Sequence, residues 1–487
     1  MMQPEKTQAS SQSPKQMLTP HIAGWFCNTN HSFDAETNIQ AMQQAINTSL
    51  PMEQLCADHY ACASTNSISH EQSCITAITG YPRWTESTFA KAAIEKSHAY
   101  ALSLAYHQYG SKFIEHLNGA FSFAIIDTDT NQLLAGVDRL GQFPLYYTKI
   151  DDGIIFGSSV STILAHTMVP RSVQEQGIYD YLYFHMVPSP HSIYKDIKKL
   201  PAGHWLNYAN DSVQISNYYQ PIFNEMAPNS FEEMGKQLKR ELKDAVSHCY
   251  EPTLKTAAFL SGGLDSSTVA GMLSEVSETR AEAYSIGFSA EGYDEMAFAR
   301  ITAKHFGVKL NEYYVTPEDV VDALPIVAAS YDEPFGNSSA LPAYFCAKVA
   351  AENGVERLLA GDGGDELFGG NERYVKQDIF EAYGKIPNGF RKAMIEPIIN
   401  KLPSALPLSS KARSYIEQAN IPLPDRLQTY NFLHQHNPSE IFNEDFLNCT
   451  DTHAPLAILG NTYKQPNNAS TLNRMLYLDW QYTLADN

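Results

Sequence analysis

The sequence predicts two joined domains: an α+β N-terminal domain of stacked antiparallel sheets and an α/β C-terminal domain built on a parallel sheet. Three observations predict this. Between about residues 20 and 210, short apolar runs are separated by turn residues, the pattern of hairpins. From Phe231 onward, apolar strands alternate with helical patterns, which predicts a parallel sheet covered on both faces. At 487 residues, the chain exceeds what one ordinary core can organise.

Taken in order, residues 1–19 are rich in Gln, Ser, Thr, Pro and Lys and read as a disordered extension without the apolar core of a signal peptide. In the 20–210 domain the strand runs include Phe121–Ile126, Leu133–Val137 and Ile154–Phe156, with turns at Asp127–Asp129 and Asp151–Gly153. An Ala-rich helix is expected over 88–109. A polar segment with Pro221 and Pro228 reads as a linker over 211–230. In the 231–487 domain, strands are expected at 256–260, 282–288, 310–315 and 356–360. Helices are expected at 231–247, 266–276, 293–306, 317–330 and 339–353. Residues from about 375 onward read as mainly helical, with breaks at Pro387, Pro403, Pro407, Pro422 and Pro424.

Composition excludes several classes. The chain has 34 basic and 54 acidic residues, a formal charge of −20, which argues against a nonspecific nucleic-acid surface. No run of about 18 apolar residues occurs, so no transmembrane helix is expected. Cys27, Cys56, Cys62, Cys74, Cys249, Cys346 and Cys449 are scattered, with no paired C-x-x-C array to suggest zinc. An odd cysteine count fits a reducing cytoplasm.

Two Gly-rich segments carry the chemistry. Ser261-Gly262-Gly263-Leu264-Asp265-Ser266-Ser267 follows an apolar run and opens a helix. That layout aims backbone N–H groups and the helix dipole at an anion, and glycines let the anion approach closely. It is neither a Walker A loop, which needs Gly-Lys-Ser/Thr, nor a G-x-G-x-x-G fingerprint. The bland alternative is an ordinary strand-to-helix turn. The second segment, Gly361-Asp362-Gly363-Gly364-Asp365-Glu366-Leu367-Phe368-Gly369-Gly370, holds five Gly and three carboxylates after another expected strand. Magnesium takes one or two carboxylates plus phosphate oxygens, which suits Asp265 and Asp365 as metal ligands; a solvated acidic turn is the bland alternative.

The words FLSGGLDSS, SIGF, GYDEMAFAR, YDEPFGNSSALPAYF and AGDGGDELFGGNERY, within 256–374, resemble those of asparagine synthetase and its relatives, β-lactam synthetase and lasso-peptide cyclase among them. NGAFSFAIID, DRLGQFPLYY and KKLPAGHWL extend the resemblance to the front of the chain, so that it covers roughly three quarters of the whole. The resemblance implies a glutaminase-like N-terminal domain and an ATP-pyrophosphatase-type C-terminal domain, with ATP and Mg²⁺ as cofactors. It implies that Leu260, Ile286 and the backbone at Ala360 and Gly361 line an adenine pocket. Ser261, Gly262, Gly263, Asp265, Ser266 and Ser267 would grip pyrophosphate, Asp365 would bind magnesium, and Asp362 would stand near the acyl substrate as the catalytic carboxylate. Leu260 and Ile286 are equally good core residues. Asp294 and Glu295 also read as caps of the helix that follows; Asp332 and Glu333 read as a turn before Pro334, though the resemblance implies that this segment lies near the substrate pocket.

The chain also departs from the family. Glutamine-dependent members place a nucleophilic Cys at the start of the N-terminal domain, with its own α-amine as base. Here Pro20-His21-Ile22-Ala23-Gly24 matches that start, and Pro20 falls on the Cys. Cys27 is internal and reads as a buried apolar side chain. The family's Asn-Gly-Glu glutamine site is replaced by Ile78–Trp84. The family's transition-state lysine would lie beyond Asn487, so a C-terminally truncated domain is expected. The expected function is an ATP-dependent amide-forming ligase, in its most specific form an asparagine synthase that adenylates aspartate, with ammonia or another amine as nucleophile and an inactive glutaminase half. A peptide or secondary-metabolite cyclase, or a noncatalytic remnant, is the alternative. The expected partners are small molecules, with no nucleic acid and no membrane; a homodimer is left open.

Overall fold

The computed structural model describes residues 20–28, 33–46, 50–225, 230–288, 294–402 and 409–485. The expected disordered extension over 1–19 lies outside them. Contacts divide the chain into two units: residues up to Gln174 with Ser189–Gln220, and Glu175–Pro188 with everything from Pro221 onward.

The first unit contains two six-stranded antiparallel sheets. One runs Lys198–Lys199, Tyr146–Ile150, Gly153–Gly157, Ile22–Cys27, Tyr60–Ser64, Glu53–Cys56 across its width. The other runs Ser212–Asn217, His204–Ala209, Gln132–Val137, Leu117–Asp127, Cys74–Trp84, Ser67–Glu71. Side chains alternate across each strand, so one face can meet the other sheet while the opposite face meets helices. Ile22 and Phe26 join Ile75, Ala77, Ala124 and Ile126 in the core between the sheets. Ala23, Trp25 and Cys27 point the other way, onto Ile39 and Met42 of the helix Ala35–Gln44. On the outer face of the second sheet, Ile78, Phe123 and Ile125 pack on Phe89, Ala99 and Leu102. The unit is therefore helix, sheet, sheet, helix, and both faces of each central strand are buried, which explains their nearly continuous apolar runs.

The structure corrects three expectations here. The helix expected over 88–109 is two, Ser87–Glu95 and His98–Tyr109, because the Ser97 hydroxyl accepts the Tyr100 N–H at 3.1 Å and starts a second helix. The segment expected as a linker over 211–230 carries the strand Ser212–Asn217, which pairs with His204–Ala209. The helix Glu175–Phe184, inside the expected 20–210 domain, belongs to the second unit. Its Tyr179 and Tyr183, one turn apart, bury themselves among Leu433, Leu459, Met475 and Leu476.

After Glu175–Phe184, the second unit continues with the helix Phe231–Cys249, which Ser230 and Glu233 start with a reciprocal capping box. Around the site we label β1 (Thr256–Phe259), α1 (Leu264–Val276), β2 (Glu282–Phe288), α2 (Met296–Phe306), β3 (Lys309–Val315), β4 (Arg357–Leu359), α3 (Gly364–Phe368), α4 (Glu372–Gly384) and α5 (Thr471–Asp479). The strands are all parallel, in the order β3-β2-β1-β4. Ala258 and Ala283 face a core with Leu273, Met296 and Ala299; Ala257 and Tyr284 face one with Cys346 and Ala350. The chain builds outward from β1 through β2 to β3, then returns to the other side of β1 with β4. That reversal is a topological switch point, where a crevice opens at the carboxyl ends of the strands. After it, the chain is mainly helical. Among the described residues, no helix is long and apolar enough to cross a membrane.

Candidate functional site

Both Gly-rich segments leave the sheet at the switch point. Thr256 of β1 pairs with Arg357 of β4, and Ala258 with Leu359, so the two strands end level and deliver Ser261–Ser267 and Gly361–Gly370 side by side. α1 starts at Leu264, two residues earlier than the sequence suggests, with Gly263 as its N-cap and no side-chain cap bond. The orphan N–H groups of its first turn are thus left without a capping oxygen from Gly263.

The first loop is knotted from within. The buried Ser266 hydroxyl accepts the Ser261 N–H at 3.3 Å, lies 3.0 Å from Ser261 Oγ and donates to Gly263 O at 3.3 Å. Ser261 Oγ in turn accepts the Gly263 N–H at 3.3 Å. Ser267 Oγ sits 2.9 Å from Thr302 Oγ1 of α2, which fixes that hydroxyl's position. Thr302 had no signal in the sequence, because its role exists only once α2 packs beside α1. Gly262 has φ +95°, the left-handed region that side chains avoid.

The second loop approaches the first without room for side chains. A Cβ at Gly361 would stand 2.7 Å from the Ser266 nitrogen, and one at Gly364 would strike the Asp265 carboxylate. A Cβ at Gly370 would strike Asp365 Oδ1. Gly364 and Gly370 thus make way for the two carboxylates. Burial, and then the charge of Asp365, hold the Asp265 carboxyl above its ordinary range. Two mutually repelling carboxylates beside an open helix N-terminus are a donor set that suits a divalent cation bound to phosphate. Among the described residues no cluster of three or more His, Cys, Asp or Glu forms a protein-only metal cage. A pair fits magnesium, which completes its shell with phosphate oxygens and water.

The remaining expected residues fall as follows. Leu260 is buried in the core on one face of the sheet, just past β1. Ile286, in β2, packs against the clusters on the opposite face, around Cys346 and Phe345. Ala360 is exposed and Gly361 half-buried, both just past β4, and Asp362 is exposed in the turn before α3. Asp294 Oδ1 accepts the Met296 N–H at 3.2 Å, so the capping alternative describes it; its Oδ2 also accepts from Tyr314 OH at 3.4 Å. Glu295 is the N-cap residue of α2 and makes no side-chain cap bond. Asp332 and Glu333 fall in sequence between Tyr331 and Phe335, whose rings stack on each other with centroids 4.4 Å apart. Gly292 and Tyr293 of the GYDEMAFAR word lie outside the described residues.

In the first unit, Pro20 is buried, and the strand behind it is pinned where Ser158 Oγ accepts the Ile22 N–H at 2.8 Å. Cys27 closes the same strand, seven residues on, about 23 Å away at 3.3 Å per residue. It is 1% exposed, and burial, then the charge of Asp152, push its thiol up to about 11. Such a thiol is neither accessible nor ionised at neutral pH. The segment Ile78–Trp84 is the second half of a long strand paired with Leu117–Phe123. Alkylation of the native protein at pH 8 is therefore expected to modify the exposed Cys249 and Cys449 and spare Cys27, Cys62, Cys74 and Cys346. Mass spectrometry of the alkylated protein checks this, and rapid modification of Cys27 would contradict it.

Comparison with known proteins points the same way. The asparagine synthase family model matches residues 237–487, and the glutamine amidotransferase domain model matches residues 90–219. The chain is 27% identical over 326 residues to the glutamine-hydrolysing asparagine synthetase 1 of Bacillus subtilis, over 67% of this chain and 50% of that protein. It is 28% identical over 291 residues to asparagine synthetase 3 of the same organism, over 56% of this chain and 47% of that protein. The chain spans about half the length of these curated relatives. A B. subtilis glutamine phosphoribosylpyrophosphate amidotransferase structure with ADP and GMP aligns over 66% of this chain and 91% of its own, at 9% identity and a TM-score of 0.29, too slight to add to the argument.

Proposed function

The chain belongs to the asparagine synthetase family, and on that premise we propose that it is an ATP-dependent amide-forming ligase, acting on a carboxylic acid of which aspartate is the first candidate. The observation that carries this reading is the meeting of two glycine-cleared loops at the switch point, with Asp265 and Asp365 repelling one another. In this reading, the N–H groups at the start of α1 and the Ser261 and Ser267 hydroxyls hold the pyrophosphate portion of ATP. Ser266 keeps the loop in shape for them. The chain at Leu260, Ala360 and Gly361, where β1 and β4 end, flanks the adenine through its backbone, with Ile286 of β2 beside it; the Leu260 side chain itself packs in the core on the opposite face from Ile286. Asp265 and Asp365 hold magnesium, which when bound neutralises charge on the departing pyrophosphate. The substrate carboxylate attacks the α-phosphorus, pyrophosphate leaves, and an amine then displaces AMP from the acyl group. In the same reading Asp362, which is exposed in its turn, meets the acyl substrate.

The glutaminase half is inactive in this reading. Pro20 offers no nucleophile, and Cys27 lies at the far end of its strand as a neutral buried thiol. Ammonia or another amine is then the nitrogen donor. Two measurements on the purified protein test both halves. Exchange of labelled pyrophosphate into ATP is expected with a carboxylic acid present, and glutamine hydrolysis is expected at the rate of a protein-free control. Absence of exchange with a panel of acids including aspartate overturns the ligase reading; glutamate release from glutamine overturns the inactive half.

A further inference from the structure

The second loop has backbone hydrogen bonds of its own, such as Gly369 N–H to Asp365 O at 2.9 Å, but little apolar burial to fix where it stands. Its short helix α3 buries no residue, and Leu367 and Phe368 are 61% and 54% exposed. Something outside it must fix Asp365 opposite Asp265. The chain leaves the loop into α4, where Asn371 Oδ1 accepts the Arg373 N–H at 3.0 Å. The next two side chains, Arg373 and Tyr374, both donate to one carboxylate oxygen, Asp479 Oδ2, at the end of α5 and 105 positions further along for Tyr374. Asp479 is 5% and Tyr374 2% exposed. Tyr374 lies in one core with Met475, Leu476 and Leu478 of α5. The same stretch reaches the loop twice more: a Cβ at Gly363 would come 3.2 Å from Leu484, and one at Gly369 3.8 Å from Leu472. Asp479 is also close enough to Asp365 for their charges to repel, and Arg373 offsets that charge.

We propose that Asp479 is a positioning residue for the metal-bearing loop: through its ion pair with Arg373 it sets where Asp365 stands and the field there, while its hydrogen bond from Tyr374 serves to stabilise the buried pair. The inference rests on the reading of Asp265 and Asp365 as metal ligands. Asp479→Asn keeps the shape of the side chain but leaves the Arg373 charge unbalanced next to a cation site. Groups that orient metal ligands typically cost 10–100-fold in metal affinity when altered, so Mn²⁺ binding to the ATP-loaded full-length protein is expected to weaken by about tenfold or more.

Electron paramagnetic resonance of free Mn²⁺ reads that constant, and calorimetry with Mg·ATP reads the nucleotide. Circular dichroism establishes that each variant is folded at the temperature used. Tyr374→Phe is the control for mere stability. It removes a neutral donor, so its Tm is expected to fall while Mn²⁺ binding stays within about twofold, because it leaves the ion pair intact. Asp479→Glu restores the charge and is expected to recover part of the affinity. If Asp479→Asn does not fold, Arg373→Lys keeps the charge but loses the planar guanidinium that reaches Asp479 Oδ2, and several-fold weaker Mn²⁺ binding is expected. Unchanged Mn²⁺ binding in Asp479→Asn or in this substitute, or equal weakening in Tyr374→Phe, overturns the clamp alone. A parent protein that binds neither Mn²⁺ nor ATP overturns the ligase reading and the clamp together.

Discussion

Asp265→Asn is expected to cut ATP–pyrophosphate exchange by about 10²–10³-fold, the usual cost of removing a group that stabilises charge in a transition state. The fold is not expected to suffer with it. Burial and the neighbouring Asp365 raise the Asp265 carboxyl above its ordinary range, so the folded state disfavours the charge that catalysis needs. The sign follows from linkage. A carboxyl whose folded value lies above its unfolded value favours folding only where it is protonated, and that contribution is lost as pH rises through the folded value. At neutral pH the charged Asp265 is a cost, and Asn, which carries none, relieves it. The Tm of Asp265→Asn at pH 7 should equal or exceed that of the parent, and the difference should disappear as pH falls below the raised value, towards about pH 4. Scanning calorimetry at both pH values, with exchange assays on the same samples, checks the pair of outcomes. Exchange within tenfold of the parent removes Asp265 from the site, and a Tm several degrees lower makes it a structural residue instead.

Much of this arrangement was legible because it is punctuated locally. Each strand of the parallel sheet is a short apolar run bounded by a turn, and the loops at Ser261 and Gly361 announce themselves by glycines next to carboxylates. β2 has the bounds expected of it, and β1, β3 and β4 differ by a residue or two at their ends. What was not legible depends on partners remote in the chain. Tyr179 and Tyr183 show that their helix has an apolar stripe, but nothing local says that the stripe is covered by Leu459 and Met475 rather than by the sheets that precede it. Ser97 reads as one polar residue in an Ala-rich helix until its hydroxyl is seen capping a new one. Asp479 has no motif around it; its meaning lies in Arg373 and Tyr374. Ser266 and Ser267 are neighbours of one kind in the sequence. One hydroxyl is spent inside the loop and the other is held from outside by Thr302, a difference that arises only from the direction each takes at the start of α1.

The same contrast separates Gly262 from Gly263, and it gives the second large effect. Gly262→Ala is expected to damage both fold and nucleotide binding. Its φ of +95° costs an L-residue about 1–2 kcal/mol in left-handed backbone. The new methyl would also stand 2.7 Å from the Ala299 nitrogen and from Phe298 Cβ, backbone-bound atoms of α2 that cannot turn aside. For a chain of this size each kcal/mol lowers Tm by about 2–4 °C, so a fall of several degrees is expected, with Mg·ATP binding lost as the loop is pushed off α2. Gly263 has φ −66°, and a methyl there would meet only Ser261 Oγ, at 3.4 Å. Gly263→Ala should therefore keep the parent Tm. Its methyl points into the open space before the first turn of α1, where the phosphates are proposed to lie, so Mg·ATP binding should weaken in a fully stable protein. Scanning fluorimetry and calorimetry on the two variants separate the glycine that α2 requires from the one that a ligand requires. An equal loss of Tm in both would mean that the loop is held by something other than its contact with α2. Full Mg·ATP affinity in Gly263→Ala would mean that the anion does not lie in front of this helix.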